Sequence, residues 1–425
     1  MKQAVKLVDG TAEMIFSGDE LLRGETLNTN QSYLGERLLD LGYFVTHALC
    51  VADDLAALTA AIKDGLARRP AVLVLSGGLG PTEDDLTREA VSAALGVPLQ
   101  HHEDLFEAIR ARFASRGLVM SDTNRKQASI PEGGTVLTFA GTAPGFTLES
   151  GRTLLVALPG VPWELKDMWE SQVEPFLRAR SGATGSGASS SDHEVRRLRT
   201  FGLGESTLAE MLSGLDWHDP EATIGTRANL DGVTLILRGR ATPEGRRKLD
   251  AVQDQIRTLV GDRMYSLTNQ DLPAVVGDLL RAAGLTVAVA ESCTGGLLAK
   301  RFTDIPGSSD YFLGGVVSYD NRIKTGMLDV PARTLAEKGA VSEEVAAAMA
   351  EGVCRATGAD CGLSTTGIAG PDGGSDEKPV GLVYLGSVVK SSTRVERLLL
   401  WGGRDQIRER AAYGALDLLR RRLAG

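Results

Sequence analysis

The chain has no histidine beyond residue 218; its five are His47, His101, His102, His193 and His218. A serine–histidine–aspartate triad therefore cannot be assembled within the second half of the sequence. Cysteine is as sparse. Cys50, Cys293, Cys354 and Cys361 are widely spaced, and no pair stands at CxxC spacing, which excludes a disulfide framework and a structural zinc site. Reduced, mostly buried thiols are expected. No apolar run approaches the roughly 20 residues that span a bilayer, and the N-terminus lacks a charged stretch followed by an apolar one. No membrane association and a cytoplasmic location are the expectation. A surplus of cations is missing too. The formal net charge of -9 argues against the broad basic surface of a non-specific nucleic-acid binder, leaving only local patches such as Arg196 to Arg199. Small ligands remain as the expected partners.

The 425 residues, at about 100–200 per domain, predict two to four domains. The clearest break is SGATGSGASSSD, Ser181 to Asp192, whose small polar residues bury too little to order themselves; it reads as a flexible linker over 181–192. Before it, in residues 1–180, apolar runs such as AVLVLSGG and TLLVALPG alternate with helical periods, the pattern of an α/β domain with a largely parallel sheet. Residues 193–266 alternate strand-like and helix-like stretches in a small α+β module. From 270 to 425 the helix–strand alternation returns as a third domain of α/β class.

In this last domain TVAVAESCTGG runs from Thr286 to Gly296 and sets Ser292, Cys293 and Thr294 just after an apolar strand, with a helix expected at or just after Thr294. A strand-to-helix turn presents a hydroxyl beside backbone N–H groups that favour developing negative charge. The plain alternative is that Ser292 or Thr294 is an N-cap. Without a histidine, a hydroxyl nucleophile needs lysine, tyrosine or a carboxylate as base. VVSYDNRIKTG supplies Tyr319 and, about one helical turn later, Lys324; an edge tyrosine and a solvated lysine are the alternative. Cys293 is a rival nucleophile, but adjacent residues on a turn point apart, so one of Ser292 and Cys293 is expected to face a pocket. STTGIAGPDGG, after another strand, lets backbone amides and the Thr365 and Thr366 hydroxyls approach an anion. Arg404 opens the last helix, where the dipole disfavours a cation, as phosphate pairing would explain.

Near the N-terminus, VLVLSGGLGPTEDDLTREA places a glycine-rich turn at the end of an apolar strand, then Glu83, Asp84 and Asp85 at an expected helix start. Such strand ends bind ligands in open α/β sheets. Together with Asp19 and Glu20 of SGDELLRGETLNTN, these acids form a candidate site for a hard divalent cation on a diphosphate, with dipole complementation as the alternative. No Walker loop or GxGxxG is present.

Three resemblances sharpen this reading. AESCTGGLLAKRFTDIPGSSDYFLGGVVSYDNRIK, GAVSEEVAAAMAEG and TTGIAGPDGGSDEKPVGLVY closely resemble the CinA C-terminal domain, the PncC type of nicotinamide-nucleotide amidase. That resemblance implies metal-free hydrolysis of nicotinamide mononucleotide to nicotinate mononucleotide and ammonia. It implies Ser292 as nucleophile, Lys324 as base with Tyr319 beside it, and Thr294, Gly295, Thr365, Thr366 and Arg404 around the substrate. Residues 12 to 175 resemble the MoaB/MogA-like molybdopterin-binding domain as it occurs in CinA proteins. This implies a metal-dependent ADP-ribose pyrophosphatase using magnesium, manganese or cobalt, with metal candidates Asp84, Asp85, Asp19 and Glu20 and phosphate candidates Gly77, Gly78, Gly80, Thr82 and Lys126. The middle module resembles a KH-type linking domain; its GLGE is not GxxG, so a spacer and homodimerisation element is expected rather than a nucleic-acid clamp. The alternatives are a pterin- or nucleotide-binding protein with an inactive C-terminal domain, and an adaptor in competence or DNA damage, where the link to a recombinase rests on the family name alone. MKQAVKLVDGTA at the start does not match the usual beginning and reads as an extension or a mis-called start.

Overall fold

Short runs rich in valine and leucine become strands, and the amphipathic stretches between them become the helices that return the chain across each sheet. The computed structural model describes residues 10–183, 193–219 and 221–424. Residues 184–192 of the expected linker, and 1–9 of the expected extension, lie outside the described residues; Ser181 begins the last three residues of the helix Glu174–Ala183. Two compact units form: residues to Val195 with Arg240–Thr242, and Arg196–Gly239 with Pro243–Gly425.

In the first unit the strands are β1 (Thr11–Ser17), β2 (Phe44–Val51), β3 (Val72–Ser76), a small separate pair β4 (Leu99–His101) and β5 (Ser129–Pro131), then β6 (Thr135–Val136), β7 (Phe146–Ser150) and β8 (Thr153–Leu158). The main sheet has the order β2-β1-β3-β8-β7-β6. Its first four strands are parallel, and β7 and β6 are antiparallel. The central strands β3 (VLVLS) and β8 (TLLVAL) are buried at every position, as continuous apolar runs are when helices cover both faces. β1 is followed by a crossover to β2 on one side and β3 by one to the other. That reversal makes the C-terminal ends of β1 and β3 a topological switch point, the place where open α/β sheets take ligands.

The second unit holds two sheets. β9 (His193–Thr200), β10 (Thr223–Asn229), β11 (Gly232–Arg240) and β12 (Met264–Ser266) make a four-stranded sheet in the order β10-β11-β9-β12. The helix Pro243–Val260 packs on it through Leu249, Val252 and Ile256, one apolar stripe at helical spacing. β13 (Val287–Glu291), β14 (Phe312–Val317), β15 (Cys361–Gly367), β16 (Leu382–Val389) and β17 (Ser392–Leu399) form the second sheet in the order β14-β13-β15-β16-β17. The first three run parallel and the last two antiparallel. Strand alternation sends Val287 and Val289 to the helices Leu272–Ala283 and Arg404–Ala424, and Ala288 and Ala290 to the helix Glu343–Thr357. That last helix lies close on the sheet because glycine admits it. A Cβ at Gly362 would stand 2.2 Å from the Ala350 carbonyl oxygen, and one at Gly386 2.4 Å from that of Ala346.

Candidate functional site

The parallel core of the five-stranded sheet decides where the chemistry lies. β13 sits between β14 and β15, with Glu291 in register with Val317 on one side and Thr365 on the other. Their C-terminal ends therefore bring Ser292, Ser318–Tyr319 and Thr365–Gly367 to one edge. The chain crosses from β13 to β14 and then back past β13 to β15, so this edge is again a topological switch point. A cavity of about 220 Å³ opens there, lined by Ser292, Tyr319, Lys324, Thr366 and Arg404 among others.

Lys324 projects from the helix Asn321–Leu328, whose first turn is capped by the Asp320 side chain. It is 1% exposed. Its Nζ donates to the carbonyl oxygens of Ser318 at 2.7 Å and Tyr319 at 3.3 Å, and stands 3.3 Å from Ser292 Oγ. Burial lowers the amine's pKa from the ordinary lysine range, against the opposing pull of Asp320 and Cys293. In its neutral form the amine has two protons for the two carbonyls and one lone pair for the serine hydroxyl.

Cys293 also touches the cavity, but its thiol is pushed up to about 12 by burial, with the Glu291 charge adding to the effect. A thiol held there is a poor nucleophile at neutral pH. Of the two, Ser292 Oγ has an amine nitrogen 3.3 Å away, whereas the Cys293 thiol is hydrogen-bonded with Thr365.

Among the expected substrate contacts, the structure separates two groups. Thr366 and Arg404 line the cavity. Thr366 Oγ1 donates to the Ala340 carbonyl at 2.7 Å, and Arg404 donates to the Gly370 carbonyl at 2.6 Å and to the Tyr319 hydroxyl at 3.2 Å. Tyr319 is 63% exposed, which places its ring at the mouth. Thr294 and Thr365 are instead fully buried, sharing a 2.6 Å hydroxyl–hydroxyl hydrogen bond that ties the turn to β15. They, like Gly295, are not among the residues lining the cavity. The helix begins later than expected, at Leu297, because Gly295 and Gly296 turn the chain with φ of +59° and +96°. Asn321, at the cavity wall, was not singled out from the sequence although it stands inside the SYDNRIK stretch. Nor was Glu291, whose only signal is a carboxylate closing an apolar strand.

In the first unit, Gly77 and Gly78 follow β3 with φ of +105° and +62°. A Cβ at Gly77 would lie 2.3 Å from the Ser17 carbonyl oxygen, so the turn packs directly against the end of β1. Lys126 Nζ donates to the carbonyls of Thr82 at 2.7 Å and Asp85 at 2.8 Å, fixing the loop that contains the acids. Those acids occupy a turn, and the helix starts only at Thr87. Asp85 folds back to accept from the Thr82 amide at 2.8 Å and from its hydroxyl. Asp84 is exposed, its pKa lowered by the Thr82 side chain. Asp19 is engaged by Arg23 at 2.6 Å and by the Asp53 amide at 3.3 Å. Among the described residues no three or more of His, Cys, Asp and Glu gather as a metal cage; Asp84, Asp85, Asp19 and Glu20 are not brought together as one. Two residues unnoticed in the sequence hold this loop and the strand ends beside it. Arg88, fully buried, donates to the carbonyls of Leu79 and Gly80, and Asn30 donates to Ser76 Oγ and the Gly160 carbonyl. No helix among the described residues is long and apolar enough to cross a membrane.

Comparison with known proteins follows the same divisions. Residues 13–179 match the model of a probable molybdopterin binding domain, 195–266 that of the damage-inducible protein CinA KH domain, and 269–423 that of the CinA C-terminal domain. A putative competence-damage inducible protein of Symbiobacterium thermophilum is 43% identical over 427 residues, covering 97% of this chain and 99% of that protein. A CinA-like protein of a Nostoc species is 42% identical, again over 97% of this chain and 99% of its own length. Among solved structures, the competence/damage inducible protein CihA of Agrobacterium tumefaciens is 40% identical, with a TM-score of 0.35, covering 36% of this chain and 94% of that one.

Proposed function

The chain belongs to the CinA family, and from that premise and the site at the end of β13 we propose that its C-terminal domain is a serine–lysine amidase acting on nicotinamide mononucleotide. The observation that carries the reading is the 3.3 Å approach of Lys324 Nζ to Ser292 Oγ, with the same nitrogen fastened to two carbonyls. Ser292 Oγ attacks the carboxamide carbon while its proton passes to Lys324 Nζ. The tetrahedral intermediate collapses as that proton moves to the departing nitrogen, which leaves as ammonia, and an ester to Ser292 remains. Water then attacks the ester, gives a proton to Lys324, and releases nicotinate mononucleotide as the proton returns to Oγ. Arg404 and Tyr319, at the cavity mouth, suit the anionic phosphate end of the substrate. Each proton in these steps is carried by the lysine, and the sequence of steps is complete without a metal.

Ammonia release from nicotinamide mononucleotide, with and without Ser292→Ala, tests the reading. Loss of activity in that variant is expected; activity kept in Ser292→Ala but lost in Cys293→Ala would overturn it.

For the first unit we propose a nucleotide diphosphate ligand at the turn of Gly77, Gly78, Gly80 and Thr82, in keeping with its match to a molybdopterin binding domain. Hydrolysis of ADP-ribose to AMP and ribose phosphate is the activity proposed there. Among the described residues its carboxylates form no metal cage of their own, so no step through magnesium, manganese or cobalt follows from them. Formation of AMP and ribose phosphate from ADP-ribose by the full chain, tried with each metal, tests this half; no turnover with tight binding would favour a binding protein. A homodimer held by the KH-type module is the proposed assembly, checked by light scattering.

A further inference from the structure

The dyad leaves a fully buried carboxylate beside it without a role. Glu291 ends β13, immediately before Ser292, and none of its surface reaches solvent. A buried carboxylate is costly unless its lone pairs are filled. Here Oε2 accepts from the backbone N–H of Gly296 at 2.9 Å and of Leu298 at 3.0 Å, and Oε1 from that of Ala299 at 2.7 Å. The first of these donors closes the turn that begins with Ser292, and the other two lie in the first turn of the helix Leu297–Thr303 that follows it. Its near end is pinned where the Ser292 N–H donates to the Thr365 carbonyl at 2.9 Å.

The same residue also reaches the base. The Glu291 carbonyl accepts from the Ser318 N–H at 2.7 Å and the Ser318 hydroxyl at 3.3 Å. Ser318 in turn offers its own carbonyl to Lys324 Nζ at 2.7 Å. One residue is thus bonded on its side-chain end to the nucleophile's turn and on its backbone end to the segment that holds the amine.

We propose that Glu291 is a positioning residue that sets the separation of Ser292 Oγ and Lys324 Nζ. The proposal rests on the serine–lysine reading of this site. A carboxylate suits the task where an amide does not: glutamine has a single acceptor oxygen, and its NH₂ would face an N–H donor with nothing to accept.

The test is the rate at which an organofluorophosphonate labels Ser292 in the full chain, a readout independent of the natural substrate. Glu291→Gln is expected to slow labelling about tenfold or more, as displacement of a nucleophile by a fraction of an ångström does. It should lower kcat on nicotinamide mononucleotide by a similar factor with KM within about twofold. Should Glu291→Gln fail to fold, Glu291→Asp, which keeps the charge but withdraws it by one methylene, is read in the same way. A purely structural role would lower the melting temperature while leaving the labelling rate of folded protein unchanged, and that result overturns the proposal. Absence of Ser292 labelling in the parent protein, or equal labelling in Lys324→Met, would overturn the dyad itself and the positioning role with it.

Discussion

Replacing Lys324 with methionine separates its proposed catalytic role from its cost to the fold. The parent lysine is held below its ordinary pKa by burial, whereas in the unfolded chain it titrates near 10.4. Between these two values the unfolded chain carries one more proton than the folded one, so stability rises with pH, by at most about 1.4 kcal/mol per pH unit. Below the folded pKa the cost of burying the charge is present in full; it is relieved as pH climbs through that value. Methionine removes the proton and this dependence. It also removes the hydrogen bonds to the Ser318 and Tyr319 carbonyls, roughly 0.5–1.5 kcal/mol each, a loss that does not change with pH. The parent's stability relative to the variant is therefore expected to increase as pH rises from the folded pKa toward about 10.4, read as the difference in urea midpoints. Amidase turnover of the parent should rise with unit slope through the same pKa and then level. The variant should be about 10²- to 10⁴-fold slower, without that limb. Parallel stability curves, or a variant with full activity, would refute the reasoning.

Cys293→Ala is expected to keep activity within about twofold while losing about 1 kcal/mol of stability from the small void it leaves, since the thiol is buried and has no base; kinetics and a thermal melt check both. Arg404→Ala should raise KM for nicotinamide mononucleotide by about tenfold or more with a smaller fall in kcat, because the guanidinium sits at the mouth and braces Tyr319 rather than touching Ser292; a selective fall in kcat would count against that role. Gly78→Ala should destabilise the first unit by about 1–3 kcal/mol or more, since φ is +62° and the new Cβ would meet Thr87 Oγ1 at 2.5 Å. A resolved early melting transition with amidase activity unchanged before heating is the expected signature.

The period of the apolar residues carried the architecture. The strand-like runs TVAVA and AVLVLSGG become β13 and β3 where the patterning predicts them, because each must bury its faces. What patterning lacks is direction around a turn. Thr365 and Thr366 look equivalent in the string, yet successive strand residues face opposite ways; one is locked to Thr294 and the other lines the cavity. The same limit explains the acids of the first unit. Three in a row suggest a cation site, but Asp85 closes its own turn on Thr82 and Asp19 pairs with Arg23, contacts set by loop geometry that no spacing encodes. The approach of Lys324 to Ser292 was legible because the lack of histidine after residue 218 leaves few side chains to set beside a serine hydroxyl. Glu291 was not, since a carboxylate at the end of a strand reads as its exit to solvent; only the turn and helix start beyond it, folding back with three N–H groups aimed at its oxygens, give the charge a reason to be buried.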